Sequence, residues 1–327
     1  MTRRRFALLL LGMGTVLALA GVWSLGVGST EISPRRALAI LQEPGPSLER
    51  TILFDLRLPR ILLAVAVGAG LAGAGTAYQG LFLNPLADPF VIGASSGAAL
   101  GATGAILLGT GALPFAAFLG SLGAVGLVYL LGGSGSSSSP LTLLLAGAAV
   151  STVVGSLVSL LMILNDRSLG VIFNWLLGGF STATWRELGY GAPMIALGLA
   201  ALGLLSRPLD ALALGDDTAR SLGLSVGAFR LAIVLAATLT TAAAVATAGI
   251  IGFVGLVAPH AARLMVGGRN SRLLPASCLL GALLLLLADD AARGLASPQE
   301  IPVSIVTALV GGPFFLFLLR RGTGGLS

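Results

Sequence analysis

Residues Gln79 to Ala102 read QGLFLNPLADPFVIGASSGAALGA, an apolar stretch that halts at Asn84-Pro85-Leu86-Ala87-Asp88-Pro89 and resumes in Gly, Ser and Ala. Proline has no N–H and clashes with the preceding turn, and the residue before each proline, here Asn84 and Asp88, is pushed away from helical geometry. The chain turns here. On either side it is uncharged for the length of a helix or more, over 61–82 and 90–132. Broken backbone at membrane depth survives only where protein or a water-filled cavity satisfies it. The turn is therefore either an ordinary connection on one side of a membrane or a constriction beside a polar pathway.

Working outward, the membrane reading holds for the whole chain. Of 327 residues 56% are hydrophobic and 10% charged, and the mean hydropathy of +0.98 lies far outside the soluble range. Further uncharged runs cover 6–27, 141–164, 188–206, 231–259, 273–288 and 301–319. Two of the runs are too long for one crossing at about 20 residues per span. The 90–132 run breaks at Gly109 to Pro114, where turn residues cluster, and the 231–259 run turns near Gly249 and continues to about Met265. The expectation is an all-α polytopic bundle of about ten transmembrane helices, with residues 1–327 forming a single transmembrane domain. The first run follows Arg3 to Arg5 and resembles a secretory signal, but its length favours a retained first helix.

Arginines at both chain ends, Arg3 to Arg5 and Arg320-Arg321, place both termini on the cytoplasmic side and require an even number of spans. Under that topology Arg207, Arg220, Arg230, Arg263, Arg269 and Arg272 also lie inside. Arg35, Arg36, Arg50, Arg57, Arg60, Arg167, Arg186 and Arg293 lie outside, which is many for the disfavoured side. Small residues are spread through the spans, as at Gly68, Gly70, Gly73, Gly75 and Gly80, and allow tight helix packing. Gly133 to Pro140 reads as a flexible cytoplasmic connection. VIFNWLLGGF, 171–180, is too short to cross and is flanked by polar residues. It reads as an outer loop anchored at the interface by Trp175, Trp185 and Tyr190, or as a guide for substrate.

The composition also excludes chemistry. All 19 basic residues are Arg, so no P-loop lysine exists and ATP, if used, is handled by a partner. One Cys (Cys278) and one His (His260) build neither a disulfide framework nor a metal cluster within the chain.

Three stretches stand out. RPLDALALGDDTARSLGLSVGAFR, Arg207 to Arg230, is too polar to cross and holds two short helices. In the second, Asp216 and Asp217 occupy the first turn, Asp216 pairs with Arg220 at i,i+4, and Gly223 closes the end. It is either a docking element or a membrane-surface helix. LRLPR, Leu56 to Arg60, and Arg293 carry outward arginines that either snorkel or receive an acidic partner. His260, after Pro259, reads as a packing or hydrogen-bonding residue before a haem ligand or proton relay. Asp289 and Asp290 read as solvent-contacting residues at a span end, and Glu300 as a helix-start anion.

Together LRLPR, YQGLFLNPLADPFVIGASSGAALGA, LALGDDTARSLGL, GIIGFVGLVAPHAARLMVGGRNSRLLP and EIPVSIVTALVGGPFFLFLL resemble the FecCD/BtuC-like permeases of iron-siderophore, haem and cobalamin ABC importers, over nearly the whole chain and in order. The resemblance implies a homodimer of ten-helix subunits in the prokaryotic cytoplasmic membrane. It also implies two cytoplasmic ATPase subunits holding ATP–Mg and a periplasmic or lipid-anchored binding protein. The chain itself would hold no cofactor, and its other contact is membrane lipid, with no nucleic acid.

Carried over by motif, Asn84 and Leu86 sit near the cytoplasmic gate. Leu214, Gly215, Asp216, Asp217, Arg220, Leu222 and Gly223, within a coupling segment at 207–227, meet the ATPase. Arg57, Arg60 and Arg293 meet acidic side chains of the binding protein. Ser138 to Thr142 departs from the family's gate-lining pattern, so gate residues there stay unassigned. An ion-coupled secondary transporter would need coupling carboxylates within spans, and an intramembrane enzyme a His/Asp/Glu or Ser/His constellation.

Overall fold

The computed structural model describes residues 2–28, 33, 36, 39, 40, 45, 47–132, 140–296 and 299–323. Arg35 and the serine-rich connection at 133–139 lie outside the described residues. Among the described residues, thirteen helices and no strand make up the fold. Helix α1 is Arg3–Ser24, α2 Leu48–Leu81, α3 Ala94–Leu107, α4 Leu113–Leu131, α5 Pro140–Ile163, α6 Leu169–Leu176 and α7 Trp185–Leu204. The short α8 (Ser206–Leu212) and α9 (Asp216–Ser221) precede α10 (Val226–Ala248), α11 (Val254–Val266), α12 (Asn270–Gly294) and α13 (Val303–Thr323). Seven of these are long and apolar enough to span a membrane, and α3, α11 and the start of α13 are shorter apolar helices. The three short ones account for the difference between the ten expected crossings and seven full-length spans.

Each break has a local cause. Pro59 cannot donate to the ladder, and α2 widens into π geometry over Ile52–Arg57 just before it. Between α10 and α11 the backbone leaves helical geometry at 249–253, with Gly249 at φ 69°. Gly249 and Ile251 of that irregular stretch are buried by protein and the other three residues are partly covered, as irregular backbone at membrane depth requires. Gly179 N–H donates to the Ala248 carbonyl at 2.7 Å, closing the end of α10 from a neighbouring loop. The Ser304 hydroxyl at the start of α13 donates to the Leu177 carbonyl of the same loop.

The core is built on small residues. Helices α2 and α10 are the buried centre, whereas α1 lies exposed on the flank. A Cβ at Gly68 of α2 would run into the Gly281 carbonyl of α12, and one at Gly75 into the Gly255 carbonyl of α11. In lipid, where apolar surface gains little by leaving the solvent, such backbone approach is the main source of helix association. Tyr78 and Thr238 share a hydrogen bond of 2.9 Å between α2 and α10, using the one phenol buried in this centre.

Paired helices α2 and α12 run the length of the bundle in opposite directions. At one end Arg60 of α2 meets Asp289 of α12, and Ser24 at the end of α1 meets Asp290. At the other end Leu209 of α8 packs on Gly80 of α2, beside Asn270 of α12. The start of α1 packs there too, through Phe6, Leu9, Leu10 and Met13 against α11 and α12. Glu300, just before α13, reaches Arg60, so α13 starts at the Arg60 end.

Candidate functional site

At the α8–α9 end lies the turn at Asn84 to Pro89. Leu83 takes the left-handed conformation at φ 52°, uncommon for a side chain of its size. Asn84 N–H donates to the Gln79 carbonyl, and the Asn84 Oδ1 accepts from Leu86 N–H at 2.9 Å. Asp88 repeats the device, its Oδ1 accepting from Phe90 N–H at 2.9 Å. Each Asx-Pro pair thus supplies its own turn, which explains why both prolines follow a short polar residue. Pro89 is buried against Gly255 in the first turn of α11. Desolvation pushes the Asp88 carboxyl up to about 6, opposed by the Phe90 hydrogen bond. The Asn84 side chain is thus committed to holding the turn, and Leu86 is half-buried beside it.

Next to this turn stands a pair absent from the sequence reading. Arg263 Nη2 of α11 donates to Gln79 Oε1 of α2 at 3.0 Å. An isolated Gln in an apolar span beside an Arg three residues after a lone His was the available signal.

The segment after α7 forms the two short helices expected. Asp216 and Asp217 lie in the first turn of α9, and Gly215 (φ 103°) and Gly223 (φ 82°) bracket it with backbone that favours glycine. Asp216 does lie 3.9 Å from Arg220, but its close partner is the buried Arg230 of α10, at 2.9 Å. Arg220 instead pairs at 2.9 Å with Asp217. The element is therefore pinned to the bundle through Asp216–Arg230 and leaves Leu214 (69% exposed), Leu222 (63%) and Asp217 facing outward. Exposed apolar side chains beside the surface Asp217–Arg220 pair, on a rigid base, suit protein contact.

The other end differs from expectation. Arg57, Arg60 and Arg293 do converge, but they are buried, with Arg60 8% and Arg293 4% exposed, so none of them snorkels. Arg60 Nε and Nη2 grip Asp289 at 2.8 to 3.1 Å, and its Nη1 holds Glu300 at 2.9 Å. Arg293 pairs with Asp289 at 3.2 Å and with Asp290, and also donates to Ser24 Oγ at 2.6 Å. Arg57 Nη1 donates to the Leu25 carbonyl at 2.5 Å.

Asp289 and Asp290 are accordingly not solvent-capping residues. Arg60 and Arg293 pair with them and offset the cost of burying their charge, which is high for an unpaired group. Glu300 is likewise an ion-pair partner rather than a helix-start anion, since no acid lies in the first turn of α13.

Arg60 and Glu300 also line a cavity of about 660 Å³ between α6, α7, α10 and α13, together with Asn174, Trp175, Glu187 and Tyr190. Trp185 donates its indole N–H to the Phe54 carbonyl at 2.9 Å, tying α7 to the π stretch of α2. His260 packs edge-on against Phe314, with ring centroids 5.7 Å apart. Among the described residues no three of His, Cys, Asp and Glu gather as metal ligands would.

The chain was compared with known proteins. It matches the model of the FecCD transport family over residues 16–321. It is 42% identical over 286 residues to the cobalamin import system permease protein BtuC of Halobacterium salinarum, covering 86% of this chain and 77% of that one. It is 43% identical over 281 residues to the hemin transport system permease protein HmuU of Yersinia pestis, covering 83% of each. A solved inward-facing structure of an ABC transporter described as metal-chelate type superposes with a TM-score of 0.85 at 38% identity, over 96% of this chain and 99% of that one. A family match running through the Asn84 turn, the short exposed helices and the buried arginines alike leaves one assignment, and the chain belongs to the FecCD transport family.

Proposed function

We propose that this protein is the membrane-spanning permease subunit of an ABC importer and moves a ferric siderophore, haem or cobalamin across the cytoplasmic membrane. The observation that carries the reading is the likeness to permeases of cobalamin and hemin import systems along more than four fifths of the chain. Two copies enclose the conduit. Two separate ATPase subunits bind ATP–Mg and grip the exposed face of Leu214 to Gly223, and a binding protein delivers cargo at the arginine end. Both termini face the cytoplasm, on the side of α8 and α9.

Mechanistically, ATP-driven closure of the ATPases displaces α9. Its tie to Arg230 passes the movement to α10, and the Asn84–Leu86 turn shifts between open and closed. Leu83, held at φ 52°, is a site of stored backbone strain suited to such a switch. At the opposite mouth an acidic side chain of the binding protein competes for Arg60. Glu300 is the exchangeable ligand there, since its side chain is 41% exposed while that of Asp289 is fully buried. The paired state of Asp289 and Asp290 disfavours an ion-coupled carrier, which needs carboxylates that take up and release protons.

The test is uptake by the reconstituted complex of permease, ATPase and binding protein in liposomes, with ferric siderophore, haem and cobalamin supplied in turn. ATP-dependent accumulation of one cargo is expected. Accumulation driven by a proton gradient in vesicles lacking the ATPase would overturn the reading.

A further inference from the structure

Helix α12 begins without a cap of its own. Its N-cap residue is Arg269, whose side chain has donors but no acceptor, so the Asn270 N–H at the start of a 25-residue helix gets no cap from the N-cap side chain. The acceptor comes from sixty residues away in sequence. Asp210 of α8 takes the Asn270 N–H at 2.6 Å, and its second oxygen lies 3.7 Å from Arg269 Nε. A carboxylate at this position also meets the positive end of the helix dipole. The neighbouring Leu209 is buried and packs on Gly80 of α2, with Asn270 Oδ1 beside the same glycine. One residue pair of α8 therefore fastens the segment that carries α9 to both members of the α2–α12 pair.

That pair is continuous with both other sites. Four residues after Gly80, α2 has given way to the Asn84 turn, and at its far end α2 carries Arg60. Helix α12 carries Asp289, Asp290 and Arg293 at its far end. We infer that Asp210 is a positioning residue for coupling, the link through which movement of the α8–α9 segment reaches α12. Arg230 provides the parallel link to α10. This rests on the reading of α9 as the ATPase contact, and assigns Asp210 no contact with the ATPase itself.

The experiment compares Asp210→Ala and Asp210→Asn with wild type in the full reconstituted complex. ATPase co-purification, ATP hydrolysis and cargo taken up per ATP are measured. Asp210→Ala is expected to retain the ATPase and hydrolyse ATP while uptake per ATP falls by about fivefold or more. Asp210→Asn keeps an oxygen for the Asn270 N–H and is expected to stay within about twofold of wild type, as a change of roughly 0.4 kcal/mol would give. If Asp210→Ala does not assemble, the Asn variant decides the matter alone.

Unchanged uptake per ATP in Asp210→Ala overturns the inference. So does an Asn variant that falls apart or hydrolyses ATP uncoupled from uptake. Leu222→Glu serves as the control for the underlying reading, because retention of the ATPase by that variant would remove α9 from the interface whatever Asp210 does.

Discussion

The two ends of this bundle carry comparable numbers of charged residues and use them in opposite ways. Around Arg60, the arginines Arg60 and Arg293 pair with three acids within the protein, and among those acids only Glu300 offers substantial surface. Around α9, Asp216 is drawn inward by Arg230 while Asp217, Leu214 and Leu222 are presented outward. In sequence the two regions look alike, each a polar break between apolar runs. What separates them is the partner that tertiary packing brings to each charge. A buried ion is held by its counter-ion and loses value when that partner is removed, whereas an exposed side chain is free to be recognised.

The sharpest test of this contrast is Arg293→Ala, which leaves Asp289 with one partner and Asp290 with Ser24. Breaking one side of a buried pair costs about 3–5 kcal/mol, so the variant is expected to lose most of its folded population in detergent, read by size-exclusion and thermal unfolding. A stable Arg293→Ala protein would mean that the cluster is hydrated and open, like the α9 end. Second in size is Leu222→Glu. It is expected to weaken ATPase binding by about tenfold with no change in the unfolding temperature of the isolated permease, and a drop in that temperature would mean that Leu222 is packing rather than presented.

Glu300→Gln addresses the one part of the buried end that resembles the exposed end. The pair is half exposed on the Glu side, so its loss costs less than about 1 kcal/mol in stability. The freed Arg60 Nη1 is expected to tighten binding-protein affinity by about threefold, a gain in the range of a single part-exposed ion pair. Unchanged affinity, measured on the reconstituted permease, would take Arg60 out of that interface.

The smallest effect concerns Asp88. Its carboxyl is raised by desolvation to about 6, above the ordinary value of 3.8, so the folded turn keeps its proton over a range where the unfolded chain has lost it. Stability is then fullest below about pH 4 and declines as pH rises to about 6. Asp88→Asn, which keeps the Oδ1 acceptor, is expected to flatten that slope and raise the unfolding temperature at pH 7.5 by about 2 °C. An equal slope in the variant would assign the pH dependence elsewhere.

Much of this was legible in the residues. Apolar runs located the helices because a membrane span has a fixed length, and breaks at Gly109–Pro114 and Gly249 followed from turn chemistry that acts locally. Gly215 and Gly223 bracketed α9 for the same reason. The misread residues share a different property. Asp289 and Asp290 read as solvent-contacting residues and Glu300 as a helix-start anion because Arg60, which pairs with Asp289 and Glu300, and Ser24, which pairs with Asp290, each lie more than 200 positions away. The contacts of Asp210, Gln79 and Arg263 were not legible in the sequence because each joins elements distant along the chain.

By itself, then, the sequence determined that this is a multi-span helical membrane protein, where the chain breaks between apolar runs, and which family motifs it carries. These follow from hydropathy, proline and glycine, whose effects extend over a few residues of chain. Only the tertiary structure decided which charges are buried, which side chains face outward, and how α8 is fastened to the long helices. Those outcomes depend on Coulomb and hydrogen-bond partners that meet within about 4 Å, and only the packing of α2 against α12 and of α8 across their ends brings them that close.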